Sequence, residues 1–226
     1  MASAPVSMRV AHIQTWPQDP SIVGVHVEGA GTYRLGAETA GRLGLREGAD
    51  VDSALLARVA TATSIREGTL AALRLLQRRL RSRAELNAGL RRRGLSPPQV
   101  AAILSDLERA GWIDDRRFAR LWIEDRMALR PRGSRALRAE LRVRGVAPDI
   151  IEATLGHLIS PEREDGVALE QARRRVERLR NLAPDVARRR LVGWLQRRGF
   201  GGGAIARALR VLADTREEGA NAGSAT

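Results

Sequence analysis

Residues 82–107, SRAELNAGLRRRGLSPPQVAAILSDL, recur as residues 133–158, GSRALRAELRVRGVAPDIIEATLGHL, and more faintly as residues 187–212, ARRRLVGWLQRRGFGGGAIARALRVL. Aligned on Gly94, Gly145 and Gly199, the three copies need no gap. Eight residues before each glycine stand Leu86, Leu137 and Leu191, and four before stand Leu90, Leu141 and Leu195. Directly after it come Leu95, Val146 and Phe200, and farther on Val100, Ile151 and Ile205, then Leu104, Leu155 and Leu209. A repeat of this kind limits the chain to folds in which one small unit is used several times and buries its apolar stripe locally.

The spacing predicts the unit. Leucines four apart lie on one face of a helix. The aligned glycine is the residue expected where a helix ends in the left-handed conformation. Ser96-Pro97-Pro98 then supplies an N-cap and first-turn prolines for a second helix, and Pro148 does the same in the second copy. The third copy has Gly201-Gly202-Gly203 there, a looser start. Each pair follows another amphipathic segment, Leu70 to Leu80, Phe118 to Leu129 or Val167 to Leu179. The unit is therefore three helices.

The expected organisation is an N-terminal α/β segment over residues 1–64, repeats over 65–113, 114–159 and 160–213, and a disordered tail over 214–226. The fold class is mainly α: three tandem three-helix repeats forming an elongated curved rod, with a small α+β segment before them. In that segment Arg9 to Gln14, Ile22 to Val27 and Tyr33 to Leu35 read as two or three strands, after a loose start over residues 1–8. Ala37 to Leu43 and Asp52 to Ala62 read as helices. Ser64-Ile65-Arg66-Glu67 reads as a capping box that starts the first repeat helix near Ile65, and Ser82 with Glu85 as a second. Asp114 and Asp115 suit the start of a helix, where carboxylates favour the positive end of its dipole.

Charge narrows the function. The chain has no lysine; its basic residues are 39 arginines against 26 acids, net +13. Residues 1–66 are neutral, with six arginines and six acids, so the whole excess lies on the repeats. Such a field favours a polyanion or an acidic protein surface. The exclusive use of arginine fits bidentate binding of phosphate and carboxylate, and it fits genomic base composition equally. The candidate contact residues are Arg78, Arg81, Arg91, Arg92 and Arg93 in the first repeat. The second offers Arg116, Arg117, Arg120, Arg126, Arg135, Arg138, Arg142 and Arg144, and the third Arg188, Arg189, Arg197 and Arg198.

No site for chemistry in a pocket emerges. His12, His26 and His157 have no motif partners, and neither a metal nor a cofactor is expected. Trp112, Phe118, Trp122 and Trp194 could stack on bases, but their helical spacing among aliphatics reads as core. There is no cysteine, which excludes disulfides and fits a cytoplasmic protein. No apolar run is long enough to span a membrane.

In sum these residues resemble the RecX family, bacterial regulatory proteins that modulate the RecA recombinase. The resemblance rests on Arg81-Ser82, Glu85-Leu86, Leu90 and Gly94; then Gly111-Trp112-Ile113-Asp114-Asp115 with Phe118-Ala119; then Gly133, Glu140-Leu141 and Gly145-Val146. It covers about 90 residues in a fixed order, a repeat-scale match, and weakens toward Leu212, where the third copy lacks the Glu-Leu pair. The resemblance implies a non-enzymatic modulator, and a monomer is expected. Such proteins lie in the groove of the RecA–single-stranded DNA filament, bridge its protomers, and lower ATP hydrolysis, strand exchange and coprotease activity, with consequences for DNA repair and the SOS response. Some also bind DNA directly. The alternative is a stand-alone DNA-binding protein, architectural or transcriptional, since two helices about a glycine turn resemble a helix-turn-helix and would take duplex DNA.

Overall fold

The structure is a computed structural model that describes residues 8–223, with side chains described through residue 213. The chain divides into two compact units at Ile113 and Asp114.

The first unit begins with a sheet. Strands β1 (Met8–Trp16), β2 (Asp19–Val27), β3 (Gly31–Gly36) and β4 (Asp50–Val51) pair antiparallel in the order β3-β2-β1-β4. That is one strand more than expected, because β4 is two residues long and carries no alternation to read. Alternation in β2 and β3 sends Val23, Val25, Val27 and Leu35 to one face. There they meet Ala40 of helix α1 (Ala37–Arg42) and Val59 of helix α2 (Ser53–Arg78) in a single apolar cluster.

Helix α2 corrects the sequence expectation. It runs unbroken for 26 residues, so the expected boundary between residues 64 and 65 falls inside it. Asp52 caps it by accepting from the backbone N–H of Leu55 at 2.6 Å. Ser64 does not cap: its hydroxyl donates to the carbonyl of Ala60 at 3.0 Å, the mid-helix habit of serine. The helix continues because both halves are buried. Val59 packs on the sheet cluster and Ala72 enters the core of the first repeat.

That repeat adds α3 (Arg83–Arg91) and α4 (Pro97–Arg109). The Ser82–Glu85 capping box forms, with Glu85 N–H donating to Ser82 Oγ at 3.1 Å and Ser82 N–H to Glu85 Oε2 at 3.3 Å. Leu86, Leu90, Val100, Leu104 and Leu107 fill its core, and Gly94 turns the corner at φ +87°.

The second unit holds the other two repeats. Helices α5 (Asp115–Leu129), α6 (Ser134–Val143) and α7 (Pro148–Leu158) enclose Phe118, Ile123, Leu137, Leu141, Val146 and Ile151. Helix α8 (Pro161–Val176) passes through a 3-10 turn, Glu177–Leu179, and is followed by α9 (Pro184–Arg197) and α10 (Gly202–Gly223). Helix α10 carries the chain to Gly223, where the sequence predicts disorder from residue 214; residues 224–226 and the loose start over residues 1–7 lie outside the described residues.

The two repeats of this unit meet backbone to backbone. Gly133 N–H donates to Arg198 O at 2.9 Å, and Arg135 N–H to Gly199 O at 3.2 Å. Gly133 stands where the first repeat has Ser82, and the cap is supplied from outside. Glu164 of α8 accepts from Ser134 N–H at 3.1 Å and from its hydroxyl at 2.9 Å. A serine at 133 has no room, since a Cβ there would lie 2.2 Å from the carbonyl oxygen of Gly199.

Candidate partner and nucleic-acid interface

The arginines sort by what they touch. Several are committed to the fold. Arg79 meets both oxygens of Glu85 at 2.9 and 3.1 Å, and Arg138 both oxygens of Glu152 at 2.6 and 2.8 Å. Arg126 and Arg132 share Glu140, each at 3.0–3.1 Å. Arg81 donates to Leu75 O, Arg91 to Leu95 O, and Arg198 to Pro131 O and Gln171. Burial pushes the Arg81 guanidinium down from its ordinary value, as burial and the neighbouring Arg132 and Arg130 do that of Arg198.

The rest of the candidates face solvent. Arg78, Arg92, Arg93, Arg116, Arg117, Arg120, Arg135, Arg142, Arg188, Arg189 and Arg197 are exposed and, among the described residues, form no ion pair. Repeat geometry places several of them alike. Arg135 and Arg189 stand ten residues before the turn glycine, Arg92 and Arg197 two before. The second repeat has Val143 at that last position, 86% exposed. One residue before the glycine the copies diverge. Arg144 lies over the ring of Trp122 at 3.7 Å and Arg198 over Trp194 at 4.4 Å, whereas Arg93 stays in solvent.

Three exposed arginines converge. Arg116, Arg117 and Arg120 at the start of α5 line a cleft of about 360 Å³ with His157 at the end of α7. Asp114 already occupies the backbone donors of this helix start, accepting from Arg116 N–H at 2.8 Å and Arg117 N–H at 3.0 Å. An anion entering the cleft is therefore met by side chains. Guanidinium groups lining one cleft can take a phosphate or a carboxylate. Among the described residues no group of three His, Asp or Glu is placed to hold a metal. His12 and His26 stack on one another on the sheet, 5.2 Å apart.

Phe118 is core, and Trp122 and Trp194 are half-buried, but Trp112 departs from the core expectation at 57% exposure. It follows Gly111, whose positive φ ends α4 and turns the ring outward, while its neighbour Ile113 is buried.

Three family models match this chain in sequence: the first three-helix domain of RecX over residues 70–107, the second over 114–155 and the third over 163–209. Curated relatives named Regulatory protein RecX extend the match. That of Thermobifida fusca is 41% identical over 138 residues, 61% of this chain and 74% of the relative. The chain belongs to the RecX family. The Mycobacterium avium RecX is 42% identical over 130 residues, 57% of this chain and 74% of the relative. Two solved RecX structures share the fold. One superposes with a TM-score of 0.74 at 19% identity, covering 87% of this chain and 96% of its own. RecX from Lactobacillus salivarius gives 0.62 at 21% identity, covering 66% and 97%.

Within the second RecX repeat, Glu140 of the Glu-Leu pair gathers the surrounding cations. Its carboxylate accepts from Trp122 Nε1 at 2.9 Å and from Arg126 Nε at 3.0 Å, and Arg126 also lies over the Trp122 ring, 4.0 Å from its centre. Sequence alone pointed to Glu140 as a motif residue and not to this hub, because Trp122 and Arg132 reach it from other segments. Glu140→Ala strands the Trp122 indole N–H and the Arg132 guanidinium and leaves Arg126 only Asp125, and is expected to destabilise the unit by about 2 kcal/mol. Glu140→Gln, which keeps an acceptor, should lose less. Chemical denaturation of both variants checks this; equal stability of the alanine variant and the parent contradicts it.

A second prediction concerns acid. The hydrogen bond from Arg138 holds the Glu152 carboxyl below the usual carboxylate range. The folded chain then binds a proton there less readily than the unfolded chain. This contribution is present at neutral pH and fades as pH falls through the acidic carboxylate range. In Arg138→Ala the Glu152 midpoint, followed by carboxyl-carbon NMR, should rise toward the ordinary value; an unmoved midpoint contradicts the pairing.

Proposed function

We infer that this chain is a regulator that binds the RecA–single-stranded DNA filament and restrains its recombinase, ATPase and coprotease activities, and so acts in DNA repair and the SOS response. Membership of the RecX family supports this, and the observation that carries it in this chain is the set of solvent-facing arginines without carboxylate partners among the described residues, some of them at matched positions of different repeats. Each can meet a phosphate of bound DNA or a carboxylate of a protein filament, and each is a donor in a fixed planar fork. A row of such groups binds a polymer by many modest contacts. The protein acts as a monomer in the cytoplasm, since its partner is there, and needs neither metal nor cofactor.

The same arginines could serve DNA alone, and the exposed Arg142 beside the α6–α7 turn favours that second reading. Co-sedimentation separates the two. The regulatory reading expects the protein to pellet with RecA on single-stranded DNA more strongly than with either component alone. Equal retention on naked DNA, or selective binding of one duplex sequence, points to the stand-alone DNA-binding protein instead. In both cases affinity falls with salt, as arginines displace counterions from phosphates.

A further inference from the structure

The third repeat does not close in the way the first two do. At the same repeat position Leu104 and Leu155 are buried, while Leu209 is only half-buried. Helix α8 packs closely on α10 in this repeat. Ala168 and Ala172 face Ala204 and Ala208, side chains that let two helices come close. A groove lies between α9 and α10. The groove has a volume of about 850 Å³, lined by Leu179, Leu191, Ile205 and Leu209, with two cations, Arg188 and Arg210, against one carboxylate, Asp185, among its charged lining residues. Its floor is aliphatic, and residues 184–213 hold seven arginines against the single acid Asp185.

We propose that this groove is a docking site for an amphipathic helix of a protein partner, with aliphatic anchors on one face and carboxylates on its flanks. An aliphatic floor between two helices suits side chains one and two helical turns apart, which is how helices are read in grooves. The rim selects the flanking charge. A second copy of this chain is disfavoured, because its repeats carry the same positive excess. A nucleic acid would satisfy the rim but leave the aliphatic floor without a matching surface. The site goes beyond the filament reading, since it can hold its helix whether or not that helix belongs to RecA.

The probe is a synthetic helical peptide with leucines at i, i+4 and i+7 and glutamates on both flanks, labelled for fluorescence anisotropy and titrated with the full-length protein. The expected result is saturable binding, with none to a peptide whose glutamates are replaced by lysines. Ala206 lies on the groove wall and is exposed, so Ala206→Trp fills the groove without entering the core. It should weaken binding about tenfold or more, as should the exposed pair Arg188→Glu and Arg210→Glu, which tests the rim independently of the tryptophan. Equal binding of the two peptides overturns the proposal, as does wild-type affinity in either variant. Displacement of the peptide by single-stranded DNA, or self-association of the protein abolished by Ala206→Trp, assigns the groove to those occupants and overturns it too. Filament co-sedimentation run on the same samples separates the readings. Peptide binding without filament binding keeps the groove and loses RecA; filament binding without peptide binding does the reverse.

Discussion

Gly133→Ala is expected to lower the stability of the second unit by about 3 kcal/mol, the upper range for forcing atoms into a packed site. Its backbone is not the reason: as the N-cap of α6, Gly133 has φ −74°, which any residue adopts. The reason is contact. A Cβ at 133 would stand 2.2 Å from Gly199 O and 2.4 Å from Phe200 Cα, atoms of a backbone that cannot swing aside as a side chain can. Relief requires the two repeats to separate, and separation breaks the Gly133-to-Arg198 hydrogen bond and draws Glu164 from the start of α6. Gly199→Ala should be at least as damaging, since φ there is +83° and the new methyl would meet Ala136. Gly156→Ala is the control. That glycine lies within α7 with nothing near its missing Cβ, so alanine should stabilise by about 0.5–1 kcal/mol through helix propensity. Urea unfolding followed by circular dichroism ranks the three. A Gly133→Ala variant as stable as Gly156→Ala contradicts the close junction.

Removing Arg116, Arg117 and Arg120 together, each to alanine, is expected to cost about 10- to 100-fold in affinity for the RecA–single-stranded DNA filament and to flatten its salt dependence by about two units of slope. All three are exposed, form no ion pair among the described residues, and line one cleft with His157. Their loss relieves a cluster of like charges and should leave stability unharmed. The matched control is Arg138→Ala. That side chain is spent on Glu152, so it should change stability more than affinity. If the triple variant binds as the parent does at every salt concentration, the cleft is not part of the interface. If Arg138→Ala is the more harmful to binding, the division between committed and available arginines is wrong.

That division marks where sequence reading stops. The three-helix unit was legible because its determinants are local: leucines four apart, a glycine at the turn, Ser96 or Pro148 just beyond it. Gly94, Gly145 and Gly199 all take positive φ as their position demands. The capping box at Ser64 was misread for the same reason. The motif is local, but whether a helix stops is decided by burial on both sides, here of Val59 and Ala72. Gly133 was legible only as a motif residue, and its close contact was invisible because Gly199 lies a whole repeat away. Arginines were legible as a total and not as individuals: nothing in the string separates Arg138, held by Glu152, from Arg135, which faces solvent. One hint was available. Where Ser82 recurs as Gly133, a cap has gone missing, and a lost cap asks for a replacement from elsewhere; Glu164 is that replacement.

The most direct test of the regulatory reading is the rate of ATP hydrolysis by RecA assembled on single-stranded DNA, measured with this protein added well below the RecA concentration. The expected result is a fall in rate far larger than the molar ratio, sensitive to salt and weakened in the Arg116, Arg117 and Arg120 variant. A rate that stays at the level of RecA alone while the folded protein is present contradicts it.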